Sequence, residues 1–175
     1  MFCIRLSPSL SLAGLQGALE GIRIIDFSHV FQGPVGTQLL GDFGADVIKV
    51  ERPGSGDWSR SWGPYVQGIS LPYLGLNRNK RSLTPNLKHP AAMQVMRRLI
   101  ATADVLVHNF RPGVMEKLGV GPDVALGRNP RLVYARLTGW GQPNAALVPL
   151  YGLHWNPGAH RDLELVDVET GQLLD

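Results

Sequence analysis

Ten side chains of this 175-residue chain have the chemistry to hold an anionic, partly aromatic ligand: Arg52, Arg60, Trp62, Arg78, Lys80, Arg81, Lys88, Asn109, Arg111 and Lys117. Arginine forks and lysine point charges suit phosphate oxygens, while Trp62 or Phe110 can stack on a heterocycle. A ligand that joins a diphosphate to adenine uses both kinds of group. On composition alone such residues are more often solvated surface. The basic excess is also spread out instead of forming a run of Lys and Arg, which suits a small anion better than a nucleic-acid track. His29 is the best placed of the 5 histidines, either a ligand contact or a hydrogen-bonded loop residue. His89 reads as a helix-start residue, and His108 faces a helix or the rim from within a strand. His154 and His160 have no second ligand at a spacing that implies a metal, so no metal site is expected. No Ser-His-Asp or Cys-His constellation is supported.

These residues need elements to carry them. Gly21–Phe27 (GIRIIDF), Asp46–Glu51 (DVIKVE), Asp104–Phe110 (DVLVHNF) and Arg131–Leu137 (RLVYARL) read as short buried strands. Between them, Gly33-Pro34 opens a helix whose Thr37–Phe43 stretch lines one face, with Gly44 as its stop. Pro90–Ala103 is helical through Met93, Met96 and Ile100, and Pro112–Leu118 is a short helix. Arg52–Ser82, rich in Gly, Pro, Ser, Trp and Asn, reads as a long surface loop. Strands joined by helical crossovers favour an α/β fold, a parallel sheet with helices on both faces, whose ligands bind beyond the carboxyl ends of the strands. Those ends are Ser28–Gln32, Arg52–Trp62, Asn109–Gly113 and Thr138–Gln142. No G-x-G-x-x-G follows the first strand and no P-loop occurs, which removes most support for a nicotinamide enzyme or a P-loop NTPase.

Composition bounds the rest. Hydrophobic residues at 44% and charged residues at 18% argue against disorder, and no apolar run is long enough to span a membrane. The single cysteine, Cys3, excludes an intramolecular disulfide and a cysteine-based zinc site, so a cytoplasmic protein is expected. The net charge of +3 divides along the chain: residues 1–142 hold 16 Lys and Arg against 9 Asp and Glu, and residues 143–175 hold 1 against 5. Residues 1–18 are expected to be a disordered extension, a weak imitation of a targeting peptide.

The segments LEGIRIID (Leu19–Asp26), Gly33-Pro34, LGDFGADVIKVE (Leu40–Glu51), RPGSGD (Arg52–Asp57), Trp62-Gly63-Pro64, NRNKRSL (Asn77–Leu83), Leu87-Lys88, Ala103–Val107, NFRPGVM (Asn109–Met115), Leu118-Gly119, Asn129–Leu132 and TGWGQ (Thr138–Gln142) run in one order through residues 19–142. In that order they resemble the class III CoA-transferases, a family that includes formyl-CoA:oxalate and carnitine CoA-transferases and the α-methylacyl-CoA racemases. The resemblance implies a Rossmann-like CoA-binding domain over 19–142, followed by a divergent tail over 143–175, truncated or frameshifted. It implies CoA or acyl-CoA as substrate with no permanently bound cofactor, a small carboxylic acid as acceptor, and a homodimer in full-length members. By position, His29, Val30, Phe31 and Gln32 match the first CoA-contacting loop, Arg52, Lys88, Asn109, Phe110, Arg111 and Lys117 match positions near the nucleotide, and Trp62 matches a residue close to the thioester. Phe31 and Gln32 depart from the residues usual there.

In the transferases an aspartate attacks the acyl-CoA thioester, giving a mixed anhydride and then an aspartyl-CoA thioester. Its position is expected beyond the end of this chain, with Asp162 and Asp167 reading as tail carboxylates. The racemases use a His/Asp pair at the α-carbon, and His154 lacks the neighbours that would carry that role. Three functions therefore stay open: a CoA-transferase portion, a racemase-like isomerase, and a non-catalytic CoA-binding or dimerising module.

Overall fold

The computed structural model describes residues 17–137. Thr138–Gln142, His154, His160, Asp162, Asp167, the 143–175 tail and all but the last two residues of the 1–18 extension lie outside the described residues. Five parallel strands form the sheet: β1 (Arg23–Asp26), β2 (Asp46–Val50), β5 (Lys80–Leu83), β6 (Val105–His108) and β7 (Val133–Arg136), in the order β5-β2-β1-β6-β7. This is the doubly wound order: the chain runs outward from β1 through β2 to β5, then crosses back through the Pro90–Ala101 helix to β6 on the other side of β1. Register is continuous across the centre, Ile25 standing between Ile48 and Leu106.

Strand alternation sends successive side chains to opposite faces. On one face Ile25, Ile48 and Leu106 pack with Met96 and Ile100 of α3 (Pro90–Ala101), Met115 of α4 (Val114–Lys117) and Ala125 of α5 (Pro122–Arg128). On the other, Ile24, Val47 and Val107 meet Leu40 of α1 (Gln32–Asp42). The expected α/β sheet covered on both faces is what the chain forms. Helix boundaries follow the expected chemistry too: Gly44 stands at φ 102 just past α1, and His89 caps α3, its Nδ1 accepting the Ala91 N–H at 3.2 Å. No helix among the described residues is long and apolar enough to cross a membrane.

The Arg52–Ser82 loop is corrected. It contains a 3-10 turn (Trp58–Ser61), a hairpin of β3 (Tyr65–Val66) and β4 (Ile69–Ser70), helix α2 (Leu71–Asn77) and most of β5. β5 is an edge strand of sequence KRSL, paired only with β2 and exposed at Arg81 and Ser82, and its polar residues carry no apolar alternation from which a strand could be read. α5 is a further element beyond those expected; Pro122 starts it, and Asn129 just past its end donates to Ile100 O at 3.1 Å and Ala103 O at 2.7 Å, tying it to the end of α3.

One close approach and one buried histidine yield stability tests. A Cβ on Gly33 would stand 2.3 Å from Ser28 Cβ, whereas Gly36, one turn along α1, faces open space. Gly33→Ala is expected to cost about 1–3 kcal/mol through overpacking, and Gly36→Ala to stabilise by up to about 1 kcal/mol, both read as urea midpoints. His108 is 4% exposed, and burial, aided by Arg136, pulls it down to about 4. The folded state therefore favours neutral imidazole, and the unfolded chain takes up the proton first as pH falls from about 6.5. That contribution, on the order of 3 kcal/mol, is present above about pH 6.5 and is lost towards pH 4. Urea unfolding across this range should show the decline, and His108→Gln should flatten it.

Candidate functional site

The connection from β1 to α1 and the end of β6 meet where the sheet reverses direction, the place where open parallel sheets form a crevice. Asn109 fastens the two sides: its Oδ1 accepts the His29 N–H and its Nδ2 donates to the His29 carbonyl, both at 2.8 Å. The Ser28 N–H and hydroxyl both donate to Asp26, which also accepts from Thr37 Oγ1 at 2.6 Å. Val30 stands at φ 74, a left-handed conformation costly for a β-branched residue and sustained only where neighbours over-determine it. The His29 ring lies 5.3 Å from the Phe110 ring.

Behind this loop two charges are completely buried. Lys49 Nζ sits 2.9 Å from Asp57 Oδ2 and donates to the Ser28 carbonyl at 2.8 Å, with both side chains 0% exposed. Asp57 Oδ1 accepts the Ser59 N–H at 2.9 Å, the Ser59 hydroxyl at 2.8 Å and the Val30 N–H at 3.3 Å. Burial pushes the Asp57 carboxyl up, but the His29 ring, Lys49 and the Ser59 N–H outweigh it and hold it well below the usual carboxylate range. A second shell surrounds Glu51, which receives two 2.7 Å bonds from Arg60, one of 2.7 Å from Ser82, one of 3.1 Å from Tyr73 and the Asp57 N–H at 2.9 Å. Here too burial acts upward and is outweighed, by Arg60 first, leaving the carboxyl at about 2. On the α1 side, Lys80 pairs with Asp26 at 3.1 Å, and burial pulls its ammonium down to about 8 against that attraction.

Beside these networks a cleft of about 590 Å³ opens at the carboxyl ends of β1, β2, β5 and β6. Its wall is apolar at Phe27, Val50, Leu87, Phe110, Val114 and Leu118, and it carries His29, Glu51, Arg52, Asn86 and Lys88. Arg52 and Lys88 have no carboxylate partner among the described residues. A cavity of this size with an apolar wall and two uncompensated cations can hold an organic anion that combines a flat or aliphatic part with phosphates. No three His, Cys, Asp or Glu side chains gather as metal ligands among the described residues.

Of the residues singled out from sequence, His29, Arg52, Lys88 and Phe110 line the cleft. Asn109 holds the wall in place from behind without lining it. Val30 is engaged with Asp57, and Phe31 and Gln32 stand exposed at the start of α1, outside the lining. Arg111 and Lys117 are exposed beyond the lining, and Trp62 is half-buried at the end of the 3-10 turn, also apart from it. Four other cations in the anion-binding set are committed elsewhere: Arg60 to Glu51, Arg78 to Asp42, Lys80 to Asp26 and Arg81 to Asp46. Sequence reasoning missed Lys49, Asp57 and Glu51. The available signal was a lysine inside the apolar strand DVIKV, which requires a buried carboxylate.

Comparison with known proteins agrees with this architecture. The CoA-transferase family III profile matches residues 19–151. The chain is 52% identical, over 71% of its length, to the succinyl-CoA–L-malate CoA-transferase beta subunit of Chloroflexus aurantiacus, of which it covers 31%. It is 45% identical over 71% of its length to the succinyl-CoA:glutarate CoA-transferase of Homo sapiens, of which it covers 28%. A Fusarium pseudograminearum acyl-CoA transferase matches 94% of the chain at 41% identity, a span that runs past Gln142, and the chain covers 41% of it. A CAIB/BAIF family protein from Brucella suis superposes with a TM-score of 0.71 at 35% identity, over 78% of this chain and 38% of that one. The chain thus spans between 28% and 41% of these proteins, and with the family profile matching residues 19–151, this chain belongs to CoA-transferase family III.

Proposed function

We propose that residues 19–137 bind the nucleotide end of CoA or an acyl-CoA, as part of a protein that transfers CoA between small carboxylic acids. The observation that carries this reading is the pair Arg52 and Lys88, cations without carboxylate partners among the described residues, lining one cleft with the apolar wall of Phe27, Leu87 and Phe110. Phosphate oxygens match the cations, and the adenine or pantetheine matches the apolar surface. The relatives named above act, by their names, on succinyl-CoA with malate or glutarate, which supports a CoA thioester and a small acid as the substrate pair.

In the aspartyl-CoA route that the family resemblance implies, the described residues supply binding and the nucleophile stands outside them. Glu51 is the carboxylate among the cleft-lining residues. Its oxygens are taken by Arg60, Ser82, Tyr73 and the Asp57 N–H, which stabilise its charge and weaken it as a nucleophile. A CoA-binding module whose covalent chemistry is supplied from outside residues 17–137 fits this arrangement better than a racemase-like centre, for which no free His/Asp pair stands in the cleft among the described residues.

Titration calorimetry of the 175-residue chain with CoA tests the reading. Saturable binding that weakens about tenfold in Arg52→Ala, the worth of one charge-assisted contact, is the expected result. Affinity should also fall as salt rises, because both cations lie at the protein surface. A folded chain that takes up no CoA would overturn it.

A further inference from the structure

His29 reaches the cleft with one ring nitrogen turned to a buried charge. Its Nδ1 lies 3.6 Å from Asp57 Oδ2, longer than a direct hydrogen bond, with the Asp57 side chain 0% exposed and the imidazole 23% exposed. Asp57 is fixed from every other side, by Lys49 on the same oxygen and by Ser59 and the Val30 N–H on the other. The histidine has little freedom to turn away, since Asn109 holds its backbone N–H and carbonyl and Phe110 lies against its ring. A carboxylate that cannot leave, facing Nδ1, favours a proton on that nitrogen. Nε2, which has no protein partner among the described residues and is not enclosed, then carries the lone pair.

We propose that Asp57 is a positioning residue for the cleft: from behind His29 it selects the Nδ1–H tautomer, so that Nε2 meets the bound ligand as a hydrogen-bond acceptor. The proposal rests on the reading above for the identity of the ligand. It divides the work of recognition: Arg52 and Lys88 take the anionic groups, and His29 takes a donor, a ribose hydroxyl or an exocyclic amine of the nucleotide. A phosphate oxygen at Nε2 would meet lone pair with lone pair. Asp57 touches no ligand itself, and its influence passes through the imidazole.

The tautomer is directly observable by long-range 15N–1H correlation on the 175-residue chain labelled at histidine, at a mildly alkaline pH where imidazole is ordinarily neutral. His29 is assigned by the signals lost in His29→Asn. The expected pattern is the Nδ1–H tautomer, retained when the chain is saturated with CoA and lost in Asp57→Asn. An Nε2–H pattern, or an even mixture, in the unsubstituted chain overturns the proposal. Calorimetry with CoA supplies the second readout. Asp57→Asn and His29→Ala are each expected to weaken binding about tenfold, with the double variant no weaker than either. Additive losses would make Asp57 merely structural and refute its action through His29. If Asp57→Asn does not fold, the tautomer of the unsubstituted chain decides alone. If that chain binds no CoA, the functional reading falls, while the tautomer still decides whether Asp57 governs His29.

Discussion

The buried pair Lys49–Asp57 organises this half of the molecule. Two full charges removed from water carry a desolvation cost that one contact does not offset, so each must find further partners. Lys49 finds the Ser28 carbonyl, and Asp57 finds Ser59 and the Val30 N–H. Those partners belong to the β1–α1 connection and the 3-10 turn, so satisfying the charges fastens both loops to β2. A strained Val30 is tolerable only because its neighbours are held in this way. Glu51 repeats the pattern one step further along the chain, binding Arg60, Ser82 and Tyr73 and so attaching β5 and α2 to the same strand end.

The positive charge at the cleft is what remains after this internal pairing. Arg23 and Arg81 share Asp46, Arg78 takes Asp42, Arg60 takes Glu51, Lys80 takes Asp26 and Lys49 takes Asp57. Arg52 and Glu51 are adjacent in sequence with opposite fates: the carboxylate turns inward to its network and the guanidinium stays exposed at the cleft. The strand-end position supplies both outcomes, because Glu51, one residue past β2, is still covered by the loops while Arg52 is exposed.

This explains which features could be read from residues alone. β1, β2 and β6 announce themselves because burial on both faces makes them nearly continuous apolar runs, β7 because Leu132, Val133, Tyr134 and Ala135 stand in succession although it is an edge strand, and the strand-end rule then points to the cleft. β5 does not, since an edge strand of Lys, Arg and Ser earns its place by one ladder of hydrogen bonds and by the Lys80–Asp26 pair. The anion-binding set contained true cleft residues and internally paired cations in one undifferentiated group, because residue type specifies a charge and not its partner. Asp57 was visible as the last residue of RPGSGD, yet its purpose depends on Lys49 eight positions earlier and on His29 twenty-eight earlier, distances at which only the folded chain brings them together.

The absence of a dinucleotide fingerprint after β1 also acquires a physical meaning. In that fingerprint, glycines let the pyrophosphate approach the backbone at the helix N-terminus, and a further glycine allows the helix to pack closely on the strand. Only the packing requirement survives here, at Gly33, whose missing side chain makes room for Ser28. The positions that would admit a phosphate hold His29, Val30 and Phe31, and the backbone of His29 and Val30 is tied to Asn109 and Asp57. The cleft lies instead over the carboxyl ends of β1, β2, β5 and β6, and there Arg52 and Lys88 place the positive charge that a helix terminus supplies in the fingerprint enzymes.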